Sequence, residues 1–257
     1  MDFVKYEVNN RVATITLNRP EKRNALSGEM VTELKTAFGQ ASDDDEVKVV
    51  VLAAEGDAFC AGADLAYLQQ LQSNTYEENL ADSSHLMELF KMIYEHKQVV
   101  IAKVQGHAIA GGCGLATVCD FSFTVPEAKF GYTEVRIGFI PAIVKVFLLR
   151  KIGEGKSKEL LLSGDLIDAE AAKAMGLVNW VVPAGELDAK VDAFAQKLVT
   201  KNSGQSMTLT KAMIAEVQSM NVEEGLNYAA EQNARARGTE DCQKGIASFL
   251  NKEKLQW

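Results

Sequence analysis

Three short runs, almost wholly apolar, constrain this chain more than anything else in it. They are Val47-Lys48-Val49-Val50-Val51-Leu52-Ala53-Ala54, Val99-Val100-Ile101-Ala102-Lys103-Val104 and Phe121-Ser122-Phe123-Thr124-Val125. A strand with one wet face alternates apolar and polar residues, whereas these runs suit strands covered on both faces, as in a parallel sheet between layers. Between the first two, residues 77–96 place Leu80, Leu86, Leu89, Phe90 and Ile93 at helical spacing. Strands that alternate with helices define an α/β fold. Upstream, Phe3, Tyr6 and Val8 are followed by Asn9-Asn10 and then Val12, Ile15 and Leu17, which predicts a hairpin. Ser27 can cap a helix whose core face carries Met30, Val31, Leu34, Ala37 and Phe38.

After Pro141 the texture turns helical. Residues 144–152, 156–162 and 169–175 and the chain from about 187 onward have helical period, and only Leu177 to Val182 looks extended. A boundary is expected near Val182-Pro183-Ala184-Gly185, with residues 1–185 forming the core and residues 186–257 a C-terminal helical region. A chain of 257 residues that is 47% hydrophobic can bury one large core. Its net charge of -8 argues against a sequence-independent grip on nucleic acid, which needs a basic face. No secretory leader is read at the N-terminus and no apolar run reaches the ~18 residues of a membrane span, so a soluble, cytoplasmic protein with no membrane partner is expected. Cys60, Cys113, Cys119 and Cys242 lack Cys-x-x-Cys spacing and read as reduced thiols. His85, His96 and His107 have no metal-ligand spacing, so no metal is expected, and His85 and His96 read as ordinary helix-face residues.

The segment Gly106-His107-Ala108-Ile109-Ala110-Gly111-Gly112-Cys113-Gly114-Leu115-Ala116 is rich in glycine where a helix should start. Each interior helical glycine costs about 1 kcal/mol relative to alanine, so several together need a reason. One reason is an anion site, because the first helical N–H groups lack partners and the helix dipole is positive there. Tight packing of helix on strand is the other. Nucleotide motifs fail on spacing: Gly111-Gly112-Cys113-Gly114 lacks the later glycine of G-x-G-x-x-G, and Arg150 stands where the first P-loop glycine belongs before Gly153-Glu154-Gly155-Lys156-Ser157. A second small-residue loop, Ala58-Phe59-Cys60-Ala61-Gly62-Ala63-Asp64-Leu65, also follows an apolar run. Two such loops can aim two N–H groups at one oxygen, which is how an oxyanion or enolate is held.

With both loops in view, the sequence resembles the crotonase superfamily, the enoyl-CoA hydratase/isomerase family. The matching landmarks are Leu17 to Ser27, Ala58 to Leu65, Gly106 to Asp120, Phe130 to Ala142 and Ala174 to Val182, in the family's order over nearly the whole chain. The resemblance implies a spiral of ββα turns, a helical C-terminal region used in trimers or hexamers, and an acyl-CoA thioester as substrate, of which coenzyme A is a part rather than a separate cofactor. It implies a place in fatty acid metabolism. By position it makes the amides of Ala63 and Gly111 the oxyanion hole, with Ala61, Asp64, Leu65, Gly112, Gly114, Tyr132 and Pro141 around the substrate.

Two-carboxylate hydratases of this family carry glutamates at positions occupied here by Gly114 and Glu134. Glu134 is therefore the expected general acid/base, and a single carboxylate must do both jobs in turn. Glu134 to Gly153 is similar to single-glutamate 3-methylglutaconyl-CoA hydratases, while one glutamate also suffices for a Δ3,Δ2-enoyl-CoA isomerase. A distal carboxylate would need a cation, for which Arg136 and Lys145 are available, each more simply read as a surface cation. Arg19, Lys22 and Arg23 are expected near the CoA nucleotide, with Lys252 contributing across a subunit interface. The alternative from another class is a catalytically silent relative that binds RNA or acts as a scaffold, which the acidic balance and Glu134 argue against.

Overall fold

The structure, a computed structural model, describes residues 1–255 and 257, with Leu65 described through its backbone alone. All three apolar runs become neighbouring parallel strands of one sheet: β3 (Val49–Ala54), β5 (Val99–Val104) and β7 (Phe121–Thr124). The expected hairpin, β1 (Val4–Asn9) and β2 (Val12–Leu17), extends it by laying β2 parallel to β3. On the far side β10 (Trp180–Val181) pairs with β7, giving the order β1-β2-β3-β5-β7-β10. Val50, Leu52, Val100 and Ile101 are fully buried, as strands covered on both faces require. One cover is helix α1 (Gly28–Asp43), where Ser27 Oγ accepts from the Met30 amide at 3.4 Å and Met30, Leu34, Ala37 and Phe38 are fully buried.

A smaller sheet holds β4 (Ala58–Cys60), β6 (His107–Ile109), β8 (Lys129–Gly131) and β9 (Ile167–Asp168) in that order. The chain steps from large sheet to small sheet to helix three times. β3 and β4 lead into α2 (Leu65–Leu71) and α3 (Tyr76–Tyr94), β5 and β6 into α4 (Gly111–Val118), and β7 and β8 into α5 (Val144–Ser163). This repeated ββα turn is the expected α/β spiral. Because β4, β6 and β8 run parallel side by side, the segments that leave their C-terminal ends are brought together at one place.

Several boundaries differ from the sequence expectation. The two helices expected at 144–152 and 156–162 meet in α5 at Gly153, whose φ of 75° and ψ of 170° break the helical geometry. Of Leu177 to Val182 only Trp180 and Val181 pair in a strand, while Leu177 and Val178 are buried just after α6 (Ala169–Ala174). Beyond residue 185, α7 (Leu187–Lys201) buries Leu187, Val191, Ala195, Leu198 and Val199 against the large sheet. The change in burial falls after α7, because α8 (Gly204–Val217), α9 (Val222–Ala236) and α10 (Glu240–Leu250) bury only Ser248. Period alone cannot separate these cases, since an apolar stripe does not say which surface it will meet. Cys60, Cys113 and Cys119 are free and buried, and Cys242 is free and partly exposed. Among the described residues, no helix is long and apolar enough to cross a membrane.

Candidate active site

The loops after β4 and β6 touch. Gly62 has a φ of 92°, and a Cβ there would lie 2.9 Å from Ala110 Cβ and 3.7 Å from the Gly111 nitrogen. The first loop is pinned through Leu26, whose amide donates to Gly62 O at 2.7 Å and whose carbonyl accepts from Asp64 N at 2.9 Å. Those bonds flank Ala63. Neither the Ala63 nor the Gly111 amide donates to a protein acceptor among the described residues.

Ala110 sets the second amide. It precedes α4 with φ 50° and ψ -123°, outside the usual regions for a side chain, and is held by donating to Gly131 O at 2.8 Å and accepting from Gly114 N at 3.0 Å. Strain of this kind costs of order 1–3 kcal/mol and persists only where the surroundings over-determine it. Sequence reasoning missed Ala110, because an alanine gives no local sign of positive φ. It also missed Asn24, which is fully buried with φ 54°. The Asn24 side chain accepts from Arg19 N at 2.8 Å and donates to Glu55 O at 2.8 Å and Ala58 O at 2.9 Å, tying the first landmark to β4.

Ala61, Ala63 and Gly111 line a cavity of about 270 Å³ together with Glu134 and Pro141. Glu134 opens a 3-10 turn (Glu134–Ile137) after β8, where its carbonyl accepts from Phe139 N at 3.0 Å. Its Oε2 is buried without a hydrogen-bond partner among the described residues. Burial raises its carboxyl above the ordinary glutamate range, opposed by a bond from its own amide. An acid held this way can take and return a proton closer to neutrality. The remaining wall is mainly apolar, with Leu68 and Leu71 from α2, Leu86 from α3, and Ile137, Phe139 and Ile140.

Other expected site residues are placed elsewhere. Tyr132 is fully buried with its hydroxyl 2.9 Å from Thr117 Oγ1, so it supports α4 and does not line the cavity. Gly112 and Gly114 also serve packing, since a Cβ on the first would strike Cys60 O and on the second Val144 and Phe90. Both explanations of the glycine stretch therefore apply, to different residues. Asp64 caps α2, accepting from Ala66 N at 2.9 Å, and pairs with Arg19 at 2.9 Å. Burial pushes its carboxyl up, but the Ala66 and Tyr67 amides and Arg19 outweigh this and hold it low. Arg19 is thus engaged in the fold, with its guanidinium also 5.3 Å from the Phe3 ring centroid. Lys22 and Arg23 are exposed beside that turn, and Lys252 is exposed beyond α10; none of the three lines the cavity. Leu65 begins α2, and its side chain lies outside the described residues.

Two histidines also depart from expectation. His96 lies past the end of α3, buried, with Nε2 3.1 Å from Phe38 O, and burial pushes its pKa down to about 4. His85 lines the cavity, its ring nitrogens 3.0 Å from Thr32 Oγ1 and 3.2 Å from Lys35 Nζ. Wider clefts of about 370 and 740 Å³ lie beneath α8, but they contain neither Glu134 nor the two free amides. In the first of these Asp241 is bonded to Ser203 at 2.5 Å and Asp45 lies 3.5 Å from Lys97, leaving its acids engaged.

Parallel strands of a small sheet that deliver two free amides and one half-buried acid to a mainly apolar cavity define an enzyme of the crotonase type. Comparison with known proteins gives the same answer: residues 7–257 match the enoyl-CoA hydratase/isomerase family, and the chain belongs to it. It is 34% identical to the crotonyl-CoA hydratase of Syntrophomonas wolfei over 254 residues, covering 98% of this chain and 96% of that one. To the short-chain-enoyl-CoA hydratase of Clostridium acetobutylicum it is 31% identical, covering 100% and 97%. The crystal structure of an enoyl-CoA hydratase from Mycobacterium smegmatis superposes with a TM-score of 0.93 at 31% identity, covering 99% and 98%.

Proposed function

We propose that this enzyme adds water to the double bond of a 2-enoyl-CoA thioester, or removes it in reverse. The thioester oxygen sits between the Ala63 and Gly111 amides, which stabilise the enolate formed as water bonds to C3. Glu134 accepts a proton from that water and delivers one to C2. The observation that carries this is the unpartnered, buried Glu134 Oε2 in the same cavity as two unused amides. One oxyanion donor alone can be worth about 3 kcal/mol of barrier.

An acyl group without charge suits the apolar wall. Among the described residues lining the cavity there is no lysine or arginine to receive a distal carboxylate. Arg136 is exposed and paired with Asp165 at 2.5 Å, and Lys145 is exposed. A 3-methylglutaconyl thioester is accordingly the less favoured substrate. The lone Glu134 supports a second reading, a Δ3,Δ2-isomerase, because moving a proton from C2 to C4 needs one base. Exposed apolar side chains on α9 and α10, such as Leu226 at 66% and Phe249 at 83%, support contacts between copies in a trimer or hexamer, which sedimentation would test.

Separate reactions with 2-enoyl-, 3-enoyl- and 3-methylglutaconyl-CoA, read by mass spectrometry, distinguish the chemistries. Hydration adds the mass of water; isomerisation leaves mass unchanged. Glu134→Gln should lower turnover by about 10²–10⁴ while the protein still binds the ester. Unchanged turnover would remove Glu134 from the mechanism.

A further inference from the structure

The turn that carries Glu134 is exposed. Every residue from Val135 to Ile140 faces solvent, and the next buried positions are Pro141 and Val144. A turn of this kind opens locally at low cost, so an acid that must stay in register with two amides needs an anchor on its other side. Two residues before it stands Tyr132, fully buried. The Tyr132 hydroxyl lies 2.9 Å from Thr117 Oγ1 in α4. Thr117 commits its one hydroxyl hydrogen to Cys113 O at 2.8 Å, so Tyr132 donates and Thr117 accepts. Beside Tyr132, Gly131 O accepts from Ala110 N at 2.8 Å, where β8 pairs with β6. Ala110 in turn accepts from Gly114 N at 3.0 Å and leads directly into Gly111.

One strip of chain thus joins both halves of the site. Gly131 is bonded through its main chain to the residue before the Gly111 amide, and Tyr132 through its side chain to a residue further along the same helix. A single bond would leave a hinge, whereas two bonds at separate points of α4 and its approach remove the rotation. We propose that Tyr132 is a positioning residue: its bond to Thr117 locks residues 131–134 to α4, so that Glu134 and the Gly111 amide hold one fixed relation. This role rests on the acid/base assignment of Glu134 above and serves hydration and isomerisation alike. Tyr132 does not line the cavity and acts on the reaction only through the chain that leads to Glu134. Burial raises the Tyr132 phenol and the Cys113 thiol, and the Glu134 charge adds to both, so the acid lies near this anchor.

Exchange of the C2 hydrogen of butyryl-CoA with solvent deuterium needs the amides and Glu134 whichever reaction follows, so it reads the placement of the acid directly. Tyr132→Phe keeps the ring and leaves Thr117 bonded to Cys113 O. It should nevertheless lower exchange, and kcat for hydration of a 2-enoyl-CoA, by about tenfold, with KM within about threefold. The half-point of kcat/KM against pH should move down toward that of a free glutamate, because a loosened carboxylate gains water. Thr117→Val should lower both rates likewise, and Thr117→Ser, which restores the acceptor, should recover them to within about threefold. The control is a buried hydroxyl elsewhere: Thr124 of β7 donates to Val104 O at 3.0 Å in the large sheet. Thr124→Val should lower the urea midpoint about as much as Tyr132→Phe without lowering exchange. Unchanged exchange in Tyr132→Phe, an unmoved pH half-point, or an equal loss of exchange in Thr124→Val overturns the proposal, the last marking a general loss of stability. Glu134→Gln should lose exchange; if it exchanges at the wild-type rate, the acid/base assignment fails and the anchor with it. Wild-type protein that exchanges but hydrates no 2-enoyl-CoA sinks the hydratase reading, and the exchange series still decides the role of Tyr132.

Discussion

The cavity has two kinds of wall. On one side Ala61, Ala63, Ala110 and Gly111 present main chain, pinned by Leu26, Gly131 and the packing of α4. On the other, α2, α3 and the turn after Glu134 present side chains such as Leu71, Leu86 and Phe139. Atoms on the first wall cannot be exchanged by substitution without moving the backbone, while each atom on the second belongs to one replaceable residue. The contrast assigns separate tasks: the main-chain wall stabilises the charge that every enolate shares, and the side-chain wall decides which acyl group enters.

The sharpest way to break this comparison is to displace the main-chain wall. Gly112→Ala would push a Cβ into Cys60 O and move the start of α4. A displacement near 1 Å should lower kcat by about 100-fold, and the overpacking should cost about 1–3 kcal/mol by chemical denaturation. On the other wall, Leu71→Ala should leave kcat for a short enoyl-CoA nearly unchanged and shift the kcat/KM ratio toward longer chains by about tenfold. A uniform loss across chain lengths would erase the distinction between walls. Arg19→Gln removes the partner of Asp64 at the start of α2 and should cost about 1 kcal/mol, read by urea unfolding, with C2 exchange retained.

The smallest effect concerns Glu134, whose carboxylate faces a mainly apolar wall. Its folded-state pKa lies above its unfolded one, so the protonated form favours folding. That stability is fully present below the ordinary glutamate pKa and lost as pH rises through the raised value. Glu134→Gln should therefore be more stable than wild type to chemical denaturation at pH 8 and show no gain at pH 3.5. For the same reason, kcat/KM in wild type should fall on acidification with an apparent pKa above that of a free glutamate.

Much of the fold was legible because burial leaves a mark on composition. A strand covered twice must be apolar at nearly every position, so β3, β5 and β7 could be read directly, and the Ser27 cap follows from local chemistry. Of the cavity residues, Ala61, Ala63, Gly111, Glu134 and Pro141 were anticipated through motif order. Tyr132 was misplaced because a tyrosine two residues before Glu134 can point either into the cavity or into the core, and sequence spacing does not say which. His85, and Tyr67 with its hydroxyl donated to Asp82, were not anticipated as cavity features, because they depend on how α2 and α3 lie against α1.

Periodicity and backbone permissiveness, being local properties, made the α/β layering and the small-residue loops legible in the sequence, while the spiral and the single acid were implied only by the family resemblance. Only the tertiary structure decided which amides stay free, that Ala110 carries the positive φ, and that Gly112 and Gly114 serve packing. It also decided that Arg19 is bound to Asp64 and that Tyr67 meets Asp82. These outcomes depend on distances between residues remote in the chain, and close packing of the folded core fixes those distances.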